Sequence, residues 1–279
     1  MNEHRKAVLF LIATAVLWSL GGVLIKWVKL NPVAIAGMRS LISLTFILIV
    51  FRPKIKISWI KIAGGLAYAG TVILFVSANK MTTAANAILL QYTAPVYVAM
   101  LGYWFLRERI SRIDWVAIFL VLCGMVLFFL DKLSSGNMIG NIIAILSGVS
   151  FAWLVLLMRK QKEGSPLDSV IIGNFITAVI GVPFAIGTSI DMNSWIGLIL
   201  LGVVQLGLPY VLYAYAIKHV SAIEAILIPV IEPVLNPIWV LFVLGEVPGF
   251  WSIAGGIVVI GAVTLRSTAQ LWSSKTLKI

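Results

Sequence analysis

Runs of about twenty apolar residues, divided by short charged or Pro/Gly-containing stretches, follow one another through almost the whole sequence. A hydrocarbon core about 30 Å thick takes roughly 20 such residues per helical span. The chain therefore reads as an all-α membrane protein with room for about ten spans and little left for a soluble domain. Composition agrees, since 61% of the 279 residues are hydrophobic and 11% charged, against about 45–50% and 25% in soluble domains. The expected spans are Ala7–Trp27, Pro32–Phe51, Trp59–Asn79, Ala84–Leu106, Ile113–Leu130, Met138–Met158, Ser169–Ile190, Trp195–Ile217, Ser221–Leu244 and Phe250–Ser267.

The net charge of +11 does not point to nucleic acid, because the basic residues sit in small clusters between apolar runs rather than along one polar face. They report topology instead. With the N-terminus inside, the cytoplasmic side collects Arg5, Lys6, Arg52, Lys54, Lys56, Arg107, Arg109, Arg159, Lys160, Lys218 and Arg266, among others, and the opposite side only Lys26, Lys29, Lys80 and Lys132. An even number of spans with both termini cytoplasmic in a cell (inner or plasma) membrane is expected. His4-Arg5-Lys6 precedes a run too long for a signal peptide, so that run is read as a retained first span. The lone Cys123 excludes an intrachain disulfide and a thiolate metal cluster; no metal and no cofactor is expected.

An internal repeat then sets the architecture. Shifted by about 138 positions, Ala84, Ala87, Pro95, Val96, Leu106 and Glu108 meet Ala222, Ala225, Pro233, Val234, Leu244 and Glu246 without a gap. With a slightly smaller shift Pro32 meets Pro166, Trp59-Ile60 meets Trp195-Ile196, and Trp18 falls within a residue of Trp153. Matched Pro, Glu and Trp in one order are not a product of shared apolarity. The halves are residues 1–134 and 135–279. Five spans per half is odd, so the two lie in opposite orientation, a plan common in secondary transporters.

Several segments resemble the EamA family of the drug/metabolite transporter superfamily. They are Leu17-Trp18-Ser19-Leu20-Gly21-Gly22 in the first span and Pro32 with Arg39 in the second. The fourth carries Thr83-Ala84-Ala85-Asn86-Ala87 through Pro95 to Arg107-Glu108-Arg109. The ninth repeats it as Ser221-Ala222-Ile223-Glu224-Ala225, Glu232-Pro233-Val234 and Leu244-Gly245-Glu246. The resemblance implies alternating access around a central cavity, with the fifth and tenth spans at the periphery. The second-half position matching Arg39 lies near Gly173, so any charge-reading site is asymmetric.

Ionisable residues inside a span cost about 2.5–3.5 kcal/mol at mid-depth on insertion scales, so they face a cavity or a partner. Arg39 lies about 10 Å along its helix from Pro32. It either recognises an anionic group through its planar fork or makes a structural pair. Glu232, beside Pro233 and a turn past Pro229, is the candidate for substrate binding or proton coupling; the competing reading is that it neutralises Arg39. Pro95 and Pro233 are expected helix breaks at corresponding places in the halves, the best sequence pointer to a transport site. Around them Asn86, Gln91, Tyr92, Asn236 and Trp239 are expected nearby, with Gln205, Tyr210, Tyr213, Trp18 and Trp153 as further cavity lining. Each polar group among these has the alternative of an interhelical hydrogen bond. Glu224 is expected to reach water. Glu108 and Glu246 read as end-anchors, Glu108 compensated by Arg107 and Arg109. Gly64-Gly65, Gly148 and Gly255-Gly256 read as close helix contacts.

No Walker loop, HExxH or GxSxG occurs, so the chain is not expected to be an enzyme or an ATP-driven pump on its own. The expected function is gradient-driven transport, as export of small metabolites such as amino acids or amphipathic compounds. The partners are a small-molecule substrate and the lipid bilayer, and a homodimer is compatible with the sequence. The alternatives are a membrane-embedded sensor or assembly subunit and a lipid-acting membrane enzyme. If Arg39 and Glu232 both face the cavity, a zwitterion suits them; if they pair, a neutral solute does.

Overall fold

The computed structural model of the protein describes residues 2–130, 137–235 and 249–276. Among them all regular structure is helical. The helices are α1 (Glu3–Trp18), α2 (Gly21–Trp27), α3 (Pro32–Phe51), α4 (Trp59–Met81), α5 (Ala84–Gln91), α6 (Ala94–Leu106) and α7 (Arg112–Phe129). There follow α8 (Met138–Lys160), α9 (Leu167–Gly181), α10 (Met192–Leu200), α11 (Leu208–Ala216), α12 (Ala222–Leu227) and α13 (Phe250–Thr276). Nine helical stretches among the described residues are long and apolar enough to cross a membrane. The expected span Ser221–Leu244 is described only to residue 235, and Asn236, Trp239 and Glu246 lie outside the described residues.

Where helices start, the sequence supplies the missing acceptors for their first N–H groups. Asn31 accepts from the Val33 N–H at 2.9 Å ahead of Pro32, and Thr83 from Asn86 at 3.1 Å. Ser111 and Asp114 form a reciprocal capping box, as do Ser221 and Glu224. Helices α3 and α6 end on Arg52 and Arg107 in the left-handed region, at φ 44° and 58°.

Four spans are interrupted among the described residues, the ninth by a 3₁₀ turn at Ile228–Val230. The first breaks at Ser19-Leu20 and the fourth at Tyr92-Thr93. The eighth passes through a π-helix, Leu201–Gly207, just ahead of Pro209, which has no N–H to give the Gln205 carbonyl. The seventh is shorter than its apolar run. It ends at Gly181 and closes with one 3₁₀ turn, Val182–Ala185, because Pro183 cannot bond the Val179 carbonyl.

Packing joins the two halves of the chain throughout. Helix α1 lies along α11, α3 on α9, α4 along α8, α6 against α12, and α7 along α13. Lipid gives little hydrophobic drive between helices, so close van der Waals approach and interhelical hydrogen bonds hold the bundle. A Cβ on Gly37 would lie 2.4 Å from the Gly181 carbonyl carbon, and one on Gly255 2.4 Å from the Gly124 oxygen. Those glycines let α3 meet α9 and α13 meet α7 backbone to backbone. Large apolar side chains such as Leu9, Ile49, Trp104, Phe119, Ile139 and Ile257 remain exposed, the surface a bilayer would cover.

Candidate functional site

Proline chemistry builds the centre of the site. In an α-helix the Pro229 carbonyl would accept from residue 233, but Pro233 has no N–H. Here residues Ile228–Val230 tighten into a 3₁₀ turn, and the freed carbonyl accepts from the Tyr92 hydroxyl at 3.1 Å. The same hydroxyl lies 2.5 Å from Glu232 Oε2. In the first half Pro95 likewise frees the Gln91 carbonyl, which packs on Gly148: a Cβ there would sit 2.7 Å from that oxygen. Pro95 itself occupies the first turn of α6, so the break falls just before it. The Gln91 side chain donates to Ser147 Oγ at 2.8 Å, and Ser147 donates to the Thr71 carbonyl at 3.0 Å. Helices α5, α8 and α4 are thereby tied together.

Opposite stands Arg39 on α3, 2% exposed. Its Nη1 donates to Gln205 Oε1 at 3.1 Å, and its Nε has no hydrogen-bond partner among the described residues. The π-helix aims Gln205 at this point, and the amide's other end approaches the Trp18 carbonyl, at the break of the first span. Arg39 and Glu232 form no ion pair with each other. Each faces the same space, about 50 Å3, together with Trp18, Thr71, Val72, Phe75, Gln91, Tyr92, Phe151, Gln205, Leu206 and Tyr210. An aromatic wall closes one side, with ring centroids 5.1 Å apart for Trp18–Tyr210, 5.9 Å for Trp18–Phe151 and 4.8 Å for Tyr68–Tyr210. A volume of this size holds one or two waters at about 30 Å3 each. Small-molecule pockets run to roughly 300–1,000 Å3, so the space as it stands here is well below that range.

Of the residues expected at the site, Trp18, Arg39, Gln91, Tyr92, Gln205, Tyr210 and Glu232 come together. Three others do not. Trp153 turns away and packs edge-on against Phe105, with centroids 5.6 Å apart. Asn86 is taken up by the α5 cap and by Asn141, 3.2 Å away. Tyr213 lies behind Trp18 and Tyr210, fully buried, its hydroxyl without a hydrogen-bond partner among the described residues. Val72, Phe75, Phe151 and Leu206 were not legible as lining, since an apolar residue in a span reads alike whether it faces lipid or a cavity, and Thr71 was not because its hydroxyl can bond its own helix, here the Ala67 carbonyl at 2.7 Å.

One end of the bundle carries an ionic network. Glu108 is held not by Arg107 or Arg109 but by Arg159 of α8 at 2.7 Å, and its second oxygen accepts from the Ala222 N–H at 2.9 Å. Arg159 also donates to the Ile217 and Lys218 carbonyls, both at 3.0 Å. Glu224 does not reach water: it is 1% exposed, 3.0 Å from His4 and 3.3 Å from Arg266. Arg266 also meets Asp114 at 2.8 Å, and Lys61 meets Asp168 at 2.6 Å. At the other end no ion pair is seen among the described residues; the contacts there include Thr82 with Asn141 at 2.8 Å, the Lys29 N–H with Ser194 at 3.2 Å and the Lys80 ammonium with the Val28 carbonyl at 3.5 Å.

Comparison with known proteins agrees with this picture. The EamA-like transporter family matches residues 5–130 and again 138–268. An uncharacterized transporter of Archaeoglobus fulgidus is 29% identical over 70% of this chain and 71% of its own. The pseudopaline exporter CntI of Pseudomonas aeruginosa is 25% identical over 67% of each chain. A crystal structure of a protein with 16% identity aligns over 98% of this chain and 99% of its own, with a TM-score of 0.80, a likeness of fold alone. The chain belongs to the EamA-like transporter family and is a multi-pass membrane transporter.

Proposed function

We propose that the protein is a secondary transporter that exports small zwitterionic metabolites such as amino acids, by alternating access between two inverted five-helix repeats. The observation that carries this reading is that Arg39 and Glu232 line one cavity without pairing. Two opposite charges held apart at mid-membrane cost free energy unless something completes them. A carboxylate fits the guanidinium, whose Nε is unpartnered among the described residues, and an ammonium fits Glu232 beside the aromatic wall. The relative CntI of Pseudomonas aeruginosa is itself a pseudopaline exporter.

The repeat plan draws support from the packing pairs. Exchanging the halves turns the α1–α11 pair into the α8–α4 pair and maps α3–α9, α6–α12 and α7–α13 onto themselves. On this reading the chain has ten spans, nine of which are long apolar helical stretches among the described residues. The end rich in Arg and Lys is then cytoplasmic, in the cell membrane, and its ionic network is the cytoplasmic gate, closed here.

The test is a thermal-stability screen of purified protein against amino acids, nucleosides, sugar phosphates and lipophilic cations, followed by proteoliposome flux for each hit. A ligand at about 100 times its Kd stabilises the fold by roughly 2.7 kcal/mol. Stabilisation and carriage by zwitterions is the expected result. Carriage of neutral solutes or lipophilic cations alone would overturn the substrate class, and ligand binding without flux would favour a sensor.

A further inference from the structure

Three arginines, Arg107, Arg109 and Arg112, stand exposed in and around the turn from α6 to α7. The acids beside them are already taken, Glu108 by Arg159 and Asp114 by Arg266. Arg109 enters no ion pair and no side-chain hydrogen bond among the described residues. An excess of cations at one membrane face explains why basic residues lie at this end. It does not explain what Arg109 borders. Together with Ser111, Asp114, Ser221 and Arg266 it lines a polar chamber of about 430 Å3. Through Ile113, Arg266 and Ala269 that chamber meets an apolar groove of about 670 Å3 between α7 and α13. The buried Ala117 and Ala262 form the floor of the groove, and the exposed Val116 and Leu265 its rims. From Ile113 to Leu120 it follows α7 for about 10 Å at 1.5 Å per residue. On the other side of the turn a second cleft, of about 360 Å3, lies between α6 and α7, lined by Met100, Tyr103, Ile110 and Trp115 and again by Arg109.

One unpaired cation thus stands between two apolar clefts on the bilayer-facing surface. An anion suits the cation, and the planar fork of Arg matches two oxygens of a phosphate. Acyl chains suit the clefts, which offer water no hydrogen bonds. We infer that the α6–α7 turn and the α7–α13 groove form a site for one anionic diacyl phospholipid, its phosphate on Arg109, one chain in the groove and the other in the α6–α7 cleft. A free phosphate would use the chamber alone and leave both clefts unexplained. Basic pockets between membrane helices hold anionic headgroups in this way. Glu108 and Asp114 oppose the phosphate only weakly, because each is neutralised by its own arginine. Tyr103 and Trp115, both exposed, are rings of the kind that sit where headgroups meet chains. The site shares no lining residue with the central cavity, so the inference does not depend on what the chain carries.

The probes are dioleoylphosphatidylglycerol, which has two chains and a net negative head, dioleoylphosphatidylcholine, which has the same chains and no net charge, and glycerol 3-phosphate, which has the phosphate and no chain. Native mass spectra of the purified full chain, titrated with each in detergent, give the bound copies and their apparent Kd. Phosphatidylglycerol is expected to show one copy held more tightly than any copy of phosphatidylcholine, and glycerol 3-phosphate none. Arg109→Gln is expected to weaken that copy roughly fivefold and to leave phosphatidylcholine unchanged. Val116→Trp, which puts a large ring on the rim of the groove, is expected to weaken both lipids. Arg112, exposed but outside the clefts, is the control, and Arg112→Gln is expected to change neither. All three positions are exposed, so the variants are expected to fold, which thermal unfolding without added lipid checks. Equal affinity for the two lipids, or equal losses in Arg109→Gln and Arg112→Gln, would reduce the feature to a basic edge and overturn the inference. Glycerol 3-phosphate binding as tightly as phosphatidylglycerol would make it a site for a soluble anion and overturn it equally.

Discussion

Replacing Arg39 by Met separates a binding residue from a structural one. Met keeps much of the length and the apolar stem of Arg, so the cavity wall stays filled. What is lost is the charged hydrogen bond to Gln205 Oε1 at 3.1 Å, the one hydrogen bond of this side chain among the described residues, worth about 1.5–3 kcal/mol. What is gained is relief from burying a guanidinium at mid-membrane, about 2.5–3.5 kcal/mol. The Gln205 oxygen left behind borders a space of about 50 Å3, enough for a water to take over its bond. The terms nearly cancel, so the ligand-free protein is expected to keep its stability within about 1 kcal/mol. Binding is another matter. A carboxylate held by Arg39 loses at least about 2 kcal/mol, or roughly thirtyfold in Kd. Thermal unfolding in detergent, with and without the zwitterion found by screening, reads both quantities. A stability loss above about 3 kcal/mol with the ligand response intact would refute the assignment and make Arg39 a structural anchor.

Three further outcomes follow from the same geometry. Glu232→Gln is expected to fold and to give zwitterion flux that no longer varies with pH between the two faces of a proteoliposome; an unchanged pH profile would remove Glu232 from coupling. Pro233→Ala restores an N–H to the Pro229 carbonyl, and is expected to slow turnover severalfold with expression retained, checked by initial flux per folded protein; equal turnover would show that the break is not mechanical. Glu108→Gln removes the charge that joins Arg159 to the Ala222 N–H. With Cys123→Ser and Thr71→Cys as background, a membrane-impermeant thiol reagent added at the basic end is expected to label the cavity faster, and unaltered labelling would place the gate elsewhere.

Much of the fold was legible because bilayer thickness fixes helix length and local chemistry fixes helix ends. Pro32–Phe51 runs between the same residues in sequence and structure, set by the Asn31 cap and by Arg52. The site was legible where a polar residue interrupts an apolar run, as Arg39, Gln91, Gln205 and Glu232 do. It was not legible where rotation about a helix axis decides. Trp153 was expected in the cavity from its repeat partner Trp18, matched within one residue, but one residue is about 100° of rotation. Phe151 instead meets Trp18, and Trp153 points to Phe105. The break at Ser19-Leu20 has no proline to announce it. It stands on tertiary contact, with Gln205 reaching the Trp18 carbonyl and lying where any Cβ on Gly21 would clash, 2.8 Å away.

The ionic network divides by exposure into parts suited to different work. Arg266 and its partners Asp114 and Glu224 are nearly closed to solvent, with side chains 4%, 9% and 1% exposed. Separating such groups leaves buried charges uncompensated, at about 3–5 kcal/mol, so α7, α12 and α13 are expected to travel as one body. Arg159 and Glu108 are more open, at 13% and 25%. A pair with access to water is worth only about 0–1 kcal/mol, and parting it exposes both groups to hydration. The seam between α8 and the α6 end is therefore the cheaper place to open. The interrupted segments beside the cavity, Tyr92-Thr93 just before α6 and Ile228–Val230 just after α12, lie in the two spans that Glu108 joins. Bending at those points is expected to open the seam without breaking a regular helix, which a spin-label distance across Glu108 and Arg159 with and without ligand would check.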